Sequence, residues 1–428
     1  MFGDCFTKFA VTLGGQIHLK SLRDAFATIM PVFIMAGLAV LINNVVFTFI
    51  LSGEALANAQ YWGIVLANGT LNIAGLLICP VTAYCLSNNK DFKDPLAAAI
   101  ISMVALVVMM PNSVMAAAVE GKDAIAVTGV LTFGNLGTTG MFGGIIIGLA
   151  ATELFIFISN IKKLQINLGE NIPPAVGRSF SVMLPAIIVL SLFGMISAIL
   201  QAAFGTNLIT LIATMIQEPL RKINTSLPGS VFIYSFGNFL FTLGIHQTVV
   251  NGVILEPLLL ANMNENMLAF ANGEVIPHII NSTFIPTFGM FGGTGSTFSL
   301  LLATFIFGKS KVTKDVAKLS IAPGLFNINE PVIFGYPIVF NVAMMIPFVL
   351  LPAIGIIVGY IATAIGFMNH CVVLVPWTTP PILNAYLATG GDIRAVVVQL
   401  AIIIGGVFLY LPFMKINERV MINIAEEE

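Results

Sequence analysis

Phe288-Gly-Met-Phe-Gly-Gly-Thr-Gly-Ser-Thr297 and, further along, Ala322-Pro-Gly-Leu-Phe-Asn-Ile-Asn-Glu-Pro331 interrupt two otherwise apolar stretches, 283–308 and 320–340. Glycine, proline and polar residues break helices and free backbone N–H and C=O groups that hydrocarbon cannot satisfy. Such breaks persist at membrane depth only where the backbone lines a protected cavity. Both stretches are therefore expected to be re-entrant hairpins. A third irregular stretch, 367–390, carries Trp377 and Thr378-Thr-Pro-Pro381.

The surrounding chain justifies speaking of a membrane. Of its 428 residues, 57% are hydrophobic and 9% charged, where a soluble domain carries about a quarter charged residues. A β-barrel would alternate apolar and polar side chains, but runs such as Ile145–Ile158 and Ala401–Leu411 are continuous, so the expected fold is an all-α polytopic membrane protein. Allowing about 20 residues per span and room for connections gives about eight to ten spans. Full-length segments fall near 26–51, 71–87, 95–118, 137–158, 182–206, 231–256, 341–366 and 393–414. The first is too long for a signal-peptide core and reads as a retained span. A net charge of -2 gives no sign of a nucleic-acid partner. Cys5, Cys79, Cys85 and Cys371 have no spacing that suggests a disulfide framework or zinc site.

Positive residues set the orientation. Lys8, Lys20 and Arg23 precede the first span, whereas Ser52–Thr70, read as a connection, has no Lys or Arg. Lys90 and Lys93, then Lys162, Lys163 and Arg178, then Lys309–Lys318, fall on the same side by alternation, with Lys122 the exception. Both termini are thus expected in the cytoplasm. Residues 1–206 read as regular spans, 207–229 as an amphipathic linker, and 230–428 as the half holding the broken helices and intramembrane polar residues.

Ionisable residues in apolar context are Glu153, Glu218, His246, Glu256, Glu330 and Asp392. Each needs a compensating reason, because a charge at mid-membrane costs at least about 2.5–3.5 kcal/mol on insertion scales. His246, in Leu243-Gly-Ile-His-Gln247, and Glu330, in Asn327-Ile-Asn-Glu-Pro331, are flanked by helix-disturbing residues. Converging on one hydroxyl, they would hold and deprotonate it. From the residues alone, His246 reads equally well as a packing residue satisfied by a carbonyl. Glu153 and Glu256 read as interfacial or structural, and His18, His278 and His370 as loop or interface residues. Gly292-Gly-Thr-Gly-Ser296 lacks the lysine of a nucleotide loop. As a hairpin tip it permits a tight reversal and exposes N–H groups to sugar hydroxyls or phosphate. Trp377 suits stacking on a pyranose or a place in an interfacial belt. The Lys309–Lys318 run suits an anionic leaflet or an acidic or phosphorylated cytosolic partner.

Asn329-Glu-Pro-Val-Ile-Phe-Gly335, Gly244-Ile-His246, Gly292-Gly-Thr-Gly295, Pro376-Trp-Thr-Thr-Pro380, Ile172-Pro-Pro-Ala-Val-Gly-Arg-Ser-Phe180 and His18-Leu-Lys-Ser-Leu-Arg-Asp24 together resemble the membrane IIC component of bacterial sugar phosphotransferase systems, in the lactose/cellobiose/diacetylchitobiose family. The resemblance implies an elevator-type homodimer of ten-span protomers in the bacterial cytoplasmic membrane, with residues 1–206 as a scaffold or dimerisation domain. It also implies transport of a β-linked disaccharide, cellobiose the first guess, whose 6-hydroxyl is phosphorylated by a separate cytosolic IIB protein, itself charged by IIA. No cofactor is implied, since the phosphoryl group arrives in trans. By the same resemblance Glu330 and His246 are the catalytic pair, and Trp377, Gln247, Thr294, Ser296 and Asn329 contact the sugar. Gln247 departs from the glycine common in the family. An ion-coupled transporter that leaves its sugar unmodified, with Glu330 as proton site, is the alternative.

Overall fold

The computed structural model describes residues 16–116, 125–138, 140–166, 177, 180–244, 246–247, 250–336 and 338–427, apart from the side chains of 253 and 420–427. Arg178, Lys8, Lys122 and Cys5 lie outside the described residues. The described chain is helical but for one antiparallel pair, β1 (Ser113–Ala116) with β2 (Ile125–Thr128), in the register Ser113 to Thr128. Among the described residues six helices are long and apolar enough to cross a membrane, or seven if the bent pair Phe284–Ser296 and Phe298–Phe307 is one span.

The chain opens with α1 (Ile17–Leu41), which continues through a π-helical turn to Ile50. Next comes α2 (Gly53–Asn68). Ser52–Thr70, read from the sequence as a connection, is therefore mostly helix. The described residues divide into two compact units, one of 16–33 and Ala67–Leu220, the other of Ile34–Leu66 and 221–427.

The first of these units packs α3 (Ala74–Asn89), α4 (Pro95–Val108) and α5 (Met141–Ser159) around Cys79, Ala98, Ala105, Leu106, Ile147, Ala151 and Phe155. Small residues let the helix backbones approach, which matters where lipid offers no hydrophobic drive to pack. A bond between Ser102 and Thr152 hydroxyls, 3.0 Å apart, ties α4 to α5. Asp94 caps α4 by accepting from the Ala97 N–H, with Pro95 opening the helix. The span expected over 95–118 ends instead at Val108, because Pro111 and Asn112 stop it and the chain turns into β1. α6 (Met183–Phe204) completes the unit and presents Ile187, Met195, Ile199 and Phe204 outward.

The other unit carries α7 (Glu218–Asn224), α8 (Leu227–Thr242), α9 (Glu256–Asn272), the hairpin arms α10 (Phe284–Gly289) and α11 (Phe298–Phe307), α12 (Lys311–Leu325), α13 (Glu330–Gly335), α14 (Val342–Ala364), α15 (Leu383–Ala388) and α16 (Ile393–Glu427). The segment 231–256, read as one span, is broken after Thr242 and resumes through a π-helical turn, Asn251–Leu255, into α9. Gly244, at φ +86°, takes the chain out of the helix. Helices α10 and α11 bend by 62° at their break, the geometry of either a broken span or a re-entrant loop. Their aromatic side chains Phe284, Phe288 and Phe291 are fully buried with Phe348 and Leu351 of α14 and Tyr410 of α16. Ser299 adds a bond to the Ile403 carbonyl, 2.9 Å. The second interrupted stretch folds as α12, a turn at Phe326–Asn329, and α13.

Candidate functional site

The hairpin tip, residues 290–297, is irregular backbone that must find partners within the protein. Gly292 donates its N–H to Asn327 Oδ1 at 2.6 Å, and its carbonyl accepts from Thr297 Oγ1 at 2.6 Å. The Thr294 carbonyl accepts from Asn329 Nδ2 at 2.7 Å, and the Gly295 carbonyl from Tyr410 Oη at 2.7 Å. Ser296 N–H reaches the Gly293 carbonyl at 3.0 Å. A Cβ on Gly293 would land on the Asn329 side chain, so only glycine lets the two segments meet. This closure leaves Thr294, Ser296 and Asn329 buried.

His246 stands in the break between α8 and α9 and is exposed. Its ring lies against Phe241 with centroids 4.7 Å apart, and Phe241 is held edge-on by Phe348 at 6.2 Å. Glu330, also exposed, is the first residue of α13, whose start Pro331 fixes. The Glu330 carboxylate acts electrostatically on the His246 imidazole, so residues 84 positions apart share one locale. The two residues singled out for proton chemistry thus lie within electrostatic reach of each other.

Gln247, next to His246, is buried and turned toward the hairpin. Its Nε2 donates to Thr294 Oγ1 at 2.7 Å, while its Oε1 accepts from Asn251 Nδ2 at 3.0 Å. Trp377 is 51% exposed, and its carbonyl accepts from Asn327 Nδ2, which also reaches the Thr379 carbonyl at 3.4 Å. Asn327 therefore joins the hairpin tip to the Trp377 loop. That loop is further held by Gln399, whose Oε1 accepts from the Ile382 N–H at 2.5 Å and whose Nε2 donates to the Thr287 carbonyl at 2.6 Å. Asn327, Gln399 and Tyr410 were not singled out from the sequence. The available signal was a lone polar group in an apolar run, which says nothing about its partner.

Glu153, Glu265 and Asp392 have ionic partners of their own. Glu153 accepts from His18 Nε2 at 2.6 Å and from Lys90, tying α1, α3 and α5 together. His18 thus belongs to α1 rather than to a loop. Glu265 receives Arg221 in a two-pronged bond of 3.0 and 2.7 Å and pairs with His278 at 2.5 Å. Asp392 accepts from the Asn369 N–H and the Arg394 N–H and side chain at 2.8–3.0 Å. Among the described residues no group of three or more His, Cys, Asp or Glu is arranged to hold a metal ion.

Comparison with known proteins agrees with this layout. The family described as Phosphotransferase system, EIIC matches residues 23–352. The chain is 32% identical over 430 residues to the oligo-beta-mannoside-specific EIIC component of Bacillus subtilis (strain 168), covering 99% of this chain and 95% of that protein. It is 31% identical to the cellobiose-specific EIIC component of Lactococcus lactis subsp. lactis (strain IL1403), covering 95% and 94%. The crystal structure of ChbC, the IIC component from the N,N'-diacetylchitobiose-specific phosphotransferase system, matches with a TM-score of 0.90 and 32% identity over 98% of both chains. A chain with this hairpin tip, this His–Glu locale and these matches belongs to the phosphotransferase system EIIC family of membrane permeases.

Proposed function

We propose that this permease carries a β-linked, cellobiose-like disaccharide across the bacterial cytoplasmic membrane and presents its 6-hydroxyl to a phosphocysteine on a cytosolic IIB protein. The observation that carries the proposal is that the Glu330 carboxylate lies within electrostatic reach of the His246 imidazole, beside a tip whose Gly292 and Thr294 backbone groups are bonded within the protein. His246 holds the sugar oxygen. Glu330 takes its proton as that oxygen attacks phosphorus, the S–P bond breaks, and the cysteine leaves as thiolate. Phosphoryl transfer depends mainly on in-line positioning and charge compensation, which suits a site supplying two groups and no cofactor. Trp377, with half its surface free, offers a face for the pyranose. Ser296 and Asn329 close the chamber around it, and the bonded pair Gln247 and Thr294 backs its wall. Relatives named for oligo-beta-mannosides, cellobiose and diacetylchitobiose support a β-linked substrate.

In this reading residues 1–206 are the scaffold, 207–229 the linker and 230–428 the transport half, which moves elevator-fashion in a ten-span homodimer with both termini in the cytoplasm. IIB, charged by IIA, supplies the phosphoryl group in trans.

Membrane vesicles containing the permease decide the matter. Uptake is expected only with phosphorylated IIB, and the product is sugar phosphate. Accumulation of free sugar under a proton gradient would overturn the proposal and favour ion-coupled transport.

A further inference from the structure

Thr294 is bonded on both sides of the proposed catalytic pair. Its Oγ1 accepts from Gln247, the neighbour of His246, at 2.7 Å. Its carbonyl accepts from Asn329, the neighbour of Glu330, at 2.7 Å. Neither bond can swivel freely. Asn251 fixes the Gln247 amide by donating to its Oε1 at 3.0 Å, and Asn329 is fixed by a second bond to Thr297 Oγ1 at 3.0 Å. Gln247, Thr294 and Asn329 are 8%, 5% and 5% exposed, so water does not compete well for these bonds. His246 and Glu330, by contrast, are exposed.

We infer that Thr294 is a positioning residue: one side of it anchors the segment carrying His246, the other the segment carrying Glu330, and so it sets their separation. The inference rests on the functional reading above. Its physical consequence is specific. A displacement of about 1 Å between reacting groups costs about a hundredfold in rate, because it spoils orientation rather than affinity. Removing the hydroxyl frees only the His246 side, while the carbonyl keeps its grip on Asn329.

Thr294→Val keeps the shape of the side chain and loses the acceptor. It is expected to slow IIB-dependent sugar phosphorylation in vesicles by about ten- to a hundredfold with sugar affinity within about threefold of the parent. Thr294→Ser, which restores the acceptor oxygen, recovers most of that loss. Gln247→Ala reproduces the Thr294→Val defect, and the double variant is no slower than either single one, since both remove one shared bond. A placement readout needs no reaction. With H246C and E330C introduced in a background free of other cysteines, a short bismaleimide is expected to join the two positions efficiently, and adding Thr294→Val cuts the yield severalfold.

Equal loss of affinity and rate in Thr294→Val would make Thr294 a sugar contact and overturn the inference. So would an additive double variant or an unchanged cross-link yield. Absence of sugar phosphate with the parent protein would instead overturn the functional reading, while the cross-link still decides the role of Thr294.

Discussion

The Oδ1 of Asn327 accepts the Gly292 N–H at 2.6 Å, and its Nδ2 donates to the Trp377 carbonyl. One amide thereby joins the two interrupted stretches to the loop after α14. Asn327 takes φ +61°, a left-handed conformation that asparagine tolerates better than most residues. Asn327→Ala strands the Gly292 N–H in a buried place and strains the backbone, at a cost of about 1–3 kcal/mol for the orphaned group. A lowered melting temperature in detergent is expected. Asn327→Gly relieves the strain but not the lost bonds, so it melts between the two.

Gly295 faces Phe348 so closely that an added Cβ would overlap the ring, and it sits at φ +77°. Gly295→Ala is therefore expected to destabilise by more than the roughly 1–2 kcal/mol of the left-handed backbone alone. Combining it with Phe348→Ala removes the clash and leaves the strain and a cavity. Thermal unfolding of the single and double variants checks this: their effects should be less than additive, because the second substitution relieves the first.

Much of this was legible beforehand. Gly292–Ser296 and Asn327–Pro331 stand out because glycine, proline and amides inside apolar sequence have few physical uses in a membrane. His246 and Glu330 stand out because burying charge there is costly. The partners were not legible. Tyr410 reaches Gly295 across 115 residues and Gln399 reaches Thr287 across 112, and no local periodicity encodes such pairings. Gly53–Asn68 escaped as a helix because Asn58, Gln60, Tyr61 and Trp62 dilute its apolar pattern and no charge run marks its ends. Gln247 stands out as an amide where the family commonly has glycine, and its bond to Thr294, 47 residues on, is likewise not encoded locally.

Asp392 precedes α16, outside the span. Burial alone would raise its pKa, but the Arg394 side chain and the Asn369 and Arg394 backbone N–H groups outweigh burial and hold it below the ordinary aspartate value. A depressed folded pKa means stability that is present above the unfolded value and lost as pH falls through the folded one. Asp392→Asn is expected to lower the melting temperature at neutral pH, and the gap to the parent narrows on acidification below the ordinary aspartate range. Melting curves across acid and neutral buffers measure it. A gap that widens in acid would contradict the assigned sign.

Arg221 grips Glu265 with two guanidinium bonds, 3.0 and 2.7 Å, linking α7 to α9. Lysine cannot reproduce that fork. Arg221→Lys is expected to cost about 1–2 kcal/mol, since half the pairing of a largely buried carboxylate is lost. Glu265→Gln should cost more, because it also loses the ionic partner of His278, and the double variant should be less than additive, because both changes act on one ion pair; denaturation of the parent, the single and the double variants tests the coupling.

Sugar phosphorylation by Glu330→Gln probes the proton acceptor directly. The amide keeps the size of the side chain and its place after Asn329 but accepts no proton at neutral pH. With phosphorylated IIB and cellobiose, the variant is expected to bind sugar within about threefold of the parent while phosphorylation falls by at least about a hundredfold. Phosphorylation at the parental rate would mean that the hydroxyl loses its proton elsewhere, and the pairing of Glu330 with His246 would have no catalytic meaning.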